Sequence, residues 1–172
     1  MGRKAVEILN LDVKKLIEML NAALSEEWLA YYQYWIGARL MEGPMRAEVE
    51  PELLLHATQE FNHAVLVVDR IIQLGGTPVL NPAEWTKLAR CDYDAPTDPY
   101  IETILGQNLK GERCAIQRYK EIADFTNGID HSTYQISITI LNEELEHEED
   151  IEGWLRDINR MKEDFKLMMG KT

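Results

Sequence analysis

Residues 144–147 of this chain are Glu-Leu-Glu-His, and residues 60–63 are Glu-Phe-Asn-His. In each motif a glutamate stands three positions before a histidine, so on a helix both side chains lie on one face. A lone glutamate precedes each motif at a nearly constant distance, because Glu27 lies 33 residues before Glu60 and Glu112 lies 32 before Glu144. The spacing predicts two similar helical hairpins related by an internal pseudo-repeat.

The positions of the helix breaks extend this reading to the whole chain. All six prolines fall within 44–51 or 78–99, and a Thr-Asn-Gly-Ile-Asp turn signal occupies 126–130. These breaks predict four long helices, at about 12–42, 50–74, 98–127 and 131–168. A short fifth helix is predicted over 82–90, because Asn81 can cap its start and Pro82 suits its first turn.

Four long helices with no strand pattern predict an all-α fold, most simply an antiparallel bundle. The connection over 75–98 is long enough to cross the bundle from one end to the other. Such a crossover makes the second and third helices parallel, which is the topology of a ferritin-like four-helix bundle. The short extra helix is then carried by the crossover between helices two and three.

Composition limits the class of protein further. The chain has 172 residues, 45% of them hydrophobic, which suits a single domain over 1–172 with a substantial core. A net charge of −12 argues against a nucleic-acid-binding face, and two cysteines are too few for a disulfide scaffold. The sequence contains no apolar signal segment and no apolar run long enough to span a membrane, so we expect a cytoplasmic protein.

The inward-facing stripe of each predicted helix is apolar except at one height. At that height the stripes carry Glu27, Glu60, His63, Glu112, Glu144 and His147. Buried carboxylates need compensating charge, and two divalent cations would balance four of them. One glutamate from each of two helices with a Glu-x-x-His pair from each of the other two is the di-iron carboxylate arrangement. Carboxylate and imidazole ligands suit iron or manganese, and zinc could substitute.

Several residues allow a second interpretation. A single Glu-x-x-His pair is common on solvated helix surfaces, so a metal-free structural bundle remains an alternative. His56, one turn before Glu60, suits a supplementary or entry-route ligand, or a core histidine bonded to a neighbour. We expect His131 to be solvated, and most of the acidic run at 143–150 to face water.

The chain resembles the ferritin superfamily over about residues 10–160. Residues 27–34 (EWLAYYQY) are similar to the first-helix motif of bacterioferritins, and Glu60-x-x-His63-Ala64 with Arg70 and residues 75–78 is similar to their second helix and its exit. Residues 112–116 (ERCAI) and 141–148 (LNEELEHE) resemble more narrowly the Dps-like proteins called thioferritins.

The resemblance implies a role for each residue of the site. Glu27 with His63 would hold one iron, Glu112 with His147 the other, and Glu60 and Glu144 would bridge. Tyr34 would form a hydrogen bond near the site. Cys91 and Cys114 fall where thioferritins carry a cysteine pair, either as a reversible redox pair or as two inert buried thiols.

Two differences from bacterioferritins bear on haem binding and on the number of subunits. Phe61 stands where bacterioferritins have the methionine that ligates haem, which argues against haem. Only 25 residues follow His147, so no fifth C-terminal helix is expected, which favours a twelve-subunit homo-oligomeric shell over a twenty-four-subunit one. DNA binding is poorly supported, because Arg3, Lys4 and Lys171 are few basic terminal residues against the net charge.

The predicted function is that of a ferroxidase of the Dps-like class. It would oxidise Fe(II) with hydrogen peroxide or dioxygen at the di-iron site and store ferric mineral within the shell, protecting against oxidative stress. The alternative is a di-metal peroxide reductase or a manganese catalase-like enzyme without storage.

Overall fold

A computed structural model describes residues 4–170 of the chain, except for the side chain of Ala5. Arg3 and Lys171, considered above for nucleic-acid contact, lie outside the described residues. The helices are α1 (Lys4–Glu7), α2 (Val13–Leu40), α3 (Arg46–Gln73), α4 (Trp85–Leu88), α5 (Ile101–Thr126) and α6 (His131–Met169). Within residues 4–170 there is no β-strand, and a 3-10 turn over Pro82–Glu84 leads into α4.

The ends of the long helices follow the cap and turn signals of the sequence. Asp12 accepts a hydrogen bond from the Lys15 N–H at 3.0 Å and caps α2. Gly75 and Gly128 follow α3 and α5 with φ of 78° and 72°, a backbone conformation that glycine adopts without steric cost. The predicted break at 126–130 is confirmed, because α5 ends at Thr126 and α6 begins at His131.

Several boundaries differ from the prediction by a few residues: α2 ends at Leu40 rather than at 42, α5 begins at Ile101 rather than at 98, and the largest shift is at the start of α3. Helix α3 begins at Arg46 rather than at about residue 50, because Met45 takes a left-handed conformation with φ of 62° and its carbonyl accepts from the Val49 N–H at 3.0 Å. Pro51 therefore stands inside the helix and forfeits one backbone hydrogen bond. The fully buried Val49 side chain gains core contacts from the early start. The crossover helix is shorter than predicted, since it ends at Leu88.

The topology is the predicted ferritin-like one. The Glu42 N–H donates to the Pro99 carbonyl at 2.8 Å, and the Ile101 N–H donates to the Glu42 carbonyl at 2.8 Å. The end of α2 therefore meets the beginning of α5. Because α3 also begins at that end of the bundle, α3 and α5 run parallel and the crossover spans the bundle.

The crossover is held along α2 by specific contacts. The Val79 N–H donates to the Asn21 Oδ1 at 2.6 Å, and the Asn21 side-chain amide donates to the Thr77 carbonyl at 3.2 Å. Farther on, the indoles of Trp85 and Trp28 stack with ring centroids 5.6 Å apart. These contacts fix the segment that carries Cys91 against the bundle.

A buried ion pair joins the C-terminal end of α3 to the beginning of α6. Arg70 donates to both carboxylate oxygens of Asp130 at 2.7 and 2.8 Å and to the Thr133 hydroxyl at 2.7 Å. Burial would raise the pKa of Asp130, but the hydrogen bonds from Thr133 and Arg70 outweigh it and lower the pKa. Asp130 is also the N-cap of α6, so one carboxylate fixes both the helix start and the hairpin packing.

The bundle interior has two apolar clusters with a polar layer between them. One cluster contains Leu16, Leu20, Val67, Ile71 and Ile122, and the other contains Leu53, Ile101, Leu105, Ile151 and Ile158. The polar layer holds the glutamates and histidines of the two motifs. Among the described residues, no helix is both long enough and apolar enough to cross a membrane.

Candidate metal centre

All six predicted ligand residues meet in the polar layer. Helix α2 contributes Glu27, α5 contributes Glu112, and α3 and α6 each contribute a Glu-x-x-His pair: Glu60 with His63, and Glu144 with His147. Each of these side chains lies on the buried stripe of its helix, with no more than 2% of its surface exposed. The pseudo-repeat of the sequence thus corresponds to two hairpins that face each other across one site.

The first half of the centre is built around His63. Its Nδ1 lies 3.4 Å from the Glu27 Oε2, 3.5 Å from the Glu60 Oε2 and 3.2 Å from the Glu144 Oε1. Ligand-type atoms from these four residues all lie within 4.8 Å of one another. One cation at the centre of such a group would contact all of them.

The second half is built around His147 in the same way. Its Nδ1 lies 3.4 Å from the Glu112 Oε2, 3.3 Å from the Glu60 Oε1 and 3.3 Å from the Glu144 Oε2. These four residues form a second group within 4.8 Å. Glu60 and Glu144 each direct one oxygen to each imidazole, which is the geometry expected of carboxylates that bridge two cations.

The polar atoms of this layer have few partners of their own. Among the described residues, the buried side-chain atoms without a hydrogen bond are Glu27 Oε2, His56 Nδ1, Glu60 Oε1, His63 Nδ1, Glu112 Oε2, both carboxylate oxygens of Glu144, and His147 Nδ1. Buried polar atoms are normally satisfied, because each unsatisfied one costs free energy. All of these atoms except that of His56 belong to the six predicted ligand residues, and each is of a type that binds metal ions. The residues therefore fit a pair of cations.

Protonation in the absence of metal reflects the crowding of charge. Burial raises the pKa of Glu27 to about 8, although His63 opposes the shift. Burial and the neighbouring carboxylates raise the pKa of Glu144 well above its usual value. Burial opposes ionisation of both histidines, yet the glutamate carboxylates around each imidazole raise the pKa of His147 to about 12 and also raise that of His63. The same histidine contacts outweigh burial at Glu60 and lower its pKa.

Two buried tyrosines orient the lone glutamates. The Tyr34 hydroxyl donates to the Glu112 Oε1, and the Tyr119 hydroxyl donates to the Glu27 Oε1, so each tyrosine serves the other hairpin. Burial and the adjacent carboxylates raise the pKa of both phenols well above the ordinary value, which keeps them as donors. The placement predicted for Tyr34 near the site agrees with this geometry. Tyr119 was not predicted as a site residue, although its position seven residues after Glu112 repeats that of Tyr34 after Glu27.

A second ring of contacts lies behind the imidazoles. The His63 Nε2 lies 2.8 Å from the Glu143 Oε2, and the His147 Nε2 lies 3.1 Å from the Gln59 Oε1. Glu143 belongs to the acidic run that was expected mostly to face water; its side chain is 36% exposed, yet it contacts His63. Gln59 and Glu143 each directly precede a glutamate that both groups share, which is the sequence signal that could have identified them.

The two remaining histidines differ in environment. The His56 ring stacks on that of His147 with centroids 4.0 Å apart, and its Nε2 lies 3.4 Å from the Asp150 Oδ2. Burial and the proximity of His147 lower the pKa of His56 to about 3, so it is neutral near pH 7. Neither group of metal-ligand atoms found among the described residues includes His56. His131, at the start of α6, is exposed as expected.

The two cysteines lie beside the centre and are joined. Cys91 of the crossover and Cys114 of α5 form a disulfide with a Cα–Cα distance of 6.4 Å. A cavity of about 40 Å³ is lined by both cysteines and reaches the four ligand glutamates. The crossover contacts along α2 bring Cys91 to this position, which the sequence could not determine.

Comparison with known proteins agrees with this geometry. The family model described as a Ferritin-like domain matches residues 17–161. The DNA protection during starvation protein of Pyrococcus furiosus is 37% identical over 161 residues, covering 91% of this chain and 83% of that protein.

Solved structures show the same relationship. The structure described as a dodecameric thioferritin, the bacterioferritin-related protein from Bacteroides fragilis, superposes with a TM-score of 0.94 at 57% identity, covering 95% of this chain and 99% of that one. Dps from Thermosynechococcus elongatus, at 15% identity with a TM-score of 0.78 and coverage of 83% and 90%, shares the fold. The chain therefore belongs to the ferritin superfamily, as a Dps-like protein with carboxylate and histidine metal-binding groups.

Proposed function

We propose that this protein is a ferroxidase that binds two Fe(II) ions per chain, oxidises them with hydrogen peroxide or dioxygen, and stores the ferric product as mineral. The observation that carries the proposal is the set of buried carboxylate and imidazole atoms that have no hydrogen-bond partner. A bundle without metal would gain stability by replacing these residues with apolar ones, because uncompensated buried charge is costly.

The donor set supports iron as the substrate. Four carboxylates carry four negative charges, which two divalent cations would neutralise, and the imidazole nitrogens would complete their coordination. Carboxylate oxygen with imidazole nitrogen suits iron or manganese, and zinc could also bind. Glu27 with His63 would hold one ion, Glu112 with His147 the other, and the remaining two glutamates would bridge.

The reaction balances without a further co-reactant. Each of two Fe(II) ions loses one electron, and one hydrogen peroxide molecule takes both electrons with two protons to give two water molecules. The protein holds the ions together, so that both electrons leave from one site. Tyr34 and Tyr119 hold one oxygen of each lone glutamate and leave the other, Oε2, for the ion.

We extend the proposal to the disulfide. The bond between Cys91 and Cys114 lines the cavity that reaches the ligand glutamates. Reduced to two thiols, the pair could deliver two electrons and two protons to one peroxide molecule, forming two waters and the disulfide. The pair would then remove peroxide beside the metal centre, and a cellular thiol reductant would restore it.

A hollow homo-oligomeric shell is the proposed assembly, and twelve subunits are the proposed number. The relative from Bacteroides fragilis that is 57% identical is described as dodecameric. Exposed apolar side chains on α2 and α3 supply surface for subunit contacts, including Trp35, Leu40, Leu55, Val65 and Ile72. We propose no haem and no nucleic-acid partner: Phe61 takes the haem-methionine position, and the net charge is −12.

Iron loading tests the proposal. The purified protein, treated with chelator, receives Fe(II) without oxygen, and then hydrogen peroxide or dioxygen; bound iron and ferric absorbance are measured. We expect two irons per chain before oxidant, rapid oxidation afterwards, and retention of far more iron on repeated additions. The variant Glu60→Ala/His63→Ala should bind neither ion tightly, whereas Glu146→Gln, at an exposed position of α6, should behave as wild type.

Two results would contradict the proposal. Equal iron binding by wild type and the double variant would show that the layer is not the metal site. Rapid oxidation without retention of iron would leave the metal centre in place but refute storage, and would favour the peroxide reductase or catalase-like alternative.

A further inference from the structure

The two halves of the metal centre differ behind their imidazoles. Gln59 and Glu143 occupy equivalent places in the two hairpins, since each directly precedes a bridging glutamate. Gln59 lies beside His147, with 3.1 Å between the amide Oε1 and the ring Nε2. Glu143 lies beside His63, with 2.8 Å between a carboxylate oxygen and the ring Nε2. The internal repeat therefore places a neutral amide behind one ligand and a carboxylate behind the other.

This difference acts on the metal through the imidazole. A histidine that binds a cation through Nδ1 keeps its proton on Nε2, and that N–H needs an acceptor. An anionic acceptor makes the ring a stronger donor and adds negative charge near the cation, whereas an amide oxygen orients the ring without adding charge. Both rings are thus oriented, but only the His63 ring gains basicity.

The charge of Glu143 is not compensated elsewhere in the structure. Within residues 4–170, its ion pair is with His63, and no lysine or arginine pairs with it. Its side chain is 36% exposed, so water screens part of the effect. The Nε2 contact at 2.8 Å nevertheless keeps the carboxylate directly on the ring.

We infer that Glu143 makes the Glu27–His63 half the tighter metal position, and that Gln59 leaves the Glu112–His147 half the weaker one, so that the two cations load in a fixed order. Glu143 and Gln59 are positioning residues, because each acts through an imidazole. The inference rests on the proposed function, since it requires that the layer bind two cations.

Binding of Co(II) alone tests this order without any oxidation chemistry. Chelator-treated shells are titrated with Co(II) in a calorimeter under exclusion of oxygen. Crystals grown with one equivalent per chain then give the occupancy of each position by anomalous scattering. For wild type we expect two binding steps that differ in affinity roughly tenfold or more, with the His63 position filled first.

Exchanging the two acceptors provides matched variants. Glu143→Gln should weaken the first step roughly 10-fold to 100-fold, and Gln59→Glu should strengthen the second by a similar factor. The double variant Gln59→Glu/Glu143→Gln should reverse the order, so that the His147 position fills first. Glu146→Gln removes the same charge from an exposed position of the same helix, and it should leave both steps within about twofold, as expected for a screened surface charge.

The outcomes separate this inference from the proposed function. The inference would be overturned if two Co(II) ions bound with equal affinity. It would also be overturned if Glu143→Gln changed the Co(II) dissociation constants no more than Glu146→Gln does. Either result would leave the metal centre intact. An unchanged filling order in the double variant would also overturn it. Failure of the wild type to bind Co(II) in the layer would refute the metal centre itself, and the loading order with it.

Discussion

Replacing Glu144 with methionine should stabilise the metal-free protein and destabilise the metal-loaded one. Glu144 is fully buried, and neither carboxylate oxygen has a hydrogen-bond partner. Burial and the repulsion of Glu60 and Glu112 raise its pKa, which is the signature of a group whose ionised form is disfavoured in the folded chain. Methionine has a similar length, and it removes the carboxylate without leaving a large cavity.

The size of the effect follows from the cost of burying a carboxyl group that has no hydrogen-bond partner. Removing such a group should stabilise the metal-free protein by about 1–3 kcal/mol. In a chain of this size each kcal/mol shifts the melting temperature by about 2–4 °C. In saturating metal the difference in stability reverses, and the wild type should be the more stable protein. A cation present at a thousand times its dissociation constant stabilises the folded protein by about 4 kcal/mol per site. Glu144 faces both imidazoles, so its removal affects both sites.

Thermal unfolding of both proteins in chelator and in saturating Zn(II) checks this prediction. We expect the variant to melt higher in chelator and the wild type to melt higher in Zn(II). Glu146→Met, at an exposed position of the same helix, is the control and should change neither ranking. A variant that melts lower than wild type in chelator would show that Glu144 stabilises the bundle by itself, contrary to the reasoning above.

Three further perturbations test the contacts around the centre. Asp130→Asn should cost about 3 kcal/mol near pH 7, because it breaks the buried pair with Arg70. The pKa of Asp130 is lowered in the folded chain, so the ionised carboxylate stabilises the fold fully above about pH 4 and less as pH falls. Denaturant titrations in which wild type and variant differ in unfolding free energy by the same amount at pH 3 and pH 7 would contradict this. Tyr119→Phe should lower metal-free stability by about 1–3 kcal/mol, since it leaves a Glu27 oxygen without its donor, and an unchanged melting temperature would refute that contribution. Cys114→Ser opens a loop of 23 residues and should lower the free energy of unfolding by about 3 kcal/mol. The variant should therefore melt at a lower temperature than wild type, and a reducing agent should abolish that difference.

Much of the fold could be predicted because its signals are local. The long helices were located by signals that act over one or two turns: the positions of proline and glycine, the helix caps and the 3.6-residue apolar period. The start of α3 was predicted too late, because the conformation of Met45 and the burial of Val49 outweigh the proline signal at Pro51. That balance depends on the packed neighbours of the helix, which a local pattern does not contain.

The ligand set was predictable because helical periodicity and the repeat place a residue by its position alone. Glu60 and His63 share a face of one helix whatever the helix packs against, and the second motif repeats the pattern 84 residues later. The hydrogen bond between Tyr119 and Glu27 joins residues 92 positions apart, so its existence depends on how two helices pack. The same is true of the contact between His63 and Glu143, which lie 80 positions apart.

By itself the sequence determined that four long helices bury carboxylates and imidazoles at one level. The amphipathic period shows which residues of a helix are buried, and the free-energy cost of burying charge applies to each of those residues within its own helix. Only the tertiary structure decided which oxygen faces which imidazole, that the cysteines meet, and that a carboxylate lies behind His63 but an amide behind His147. Those contacts form between helices and the crossover, where distances are set by packing, and packing is a property of the whole bundle.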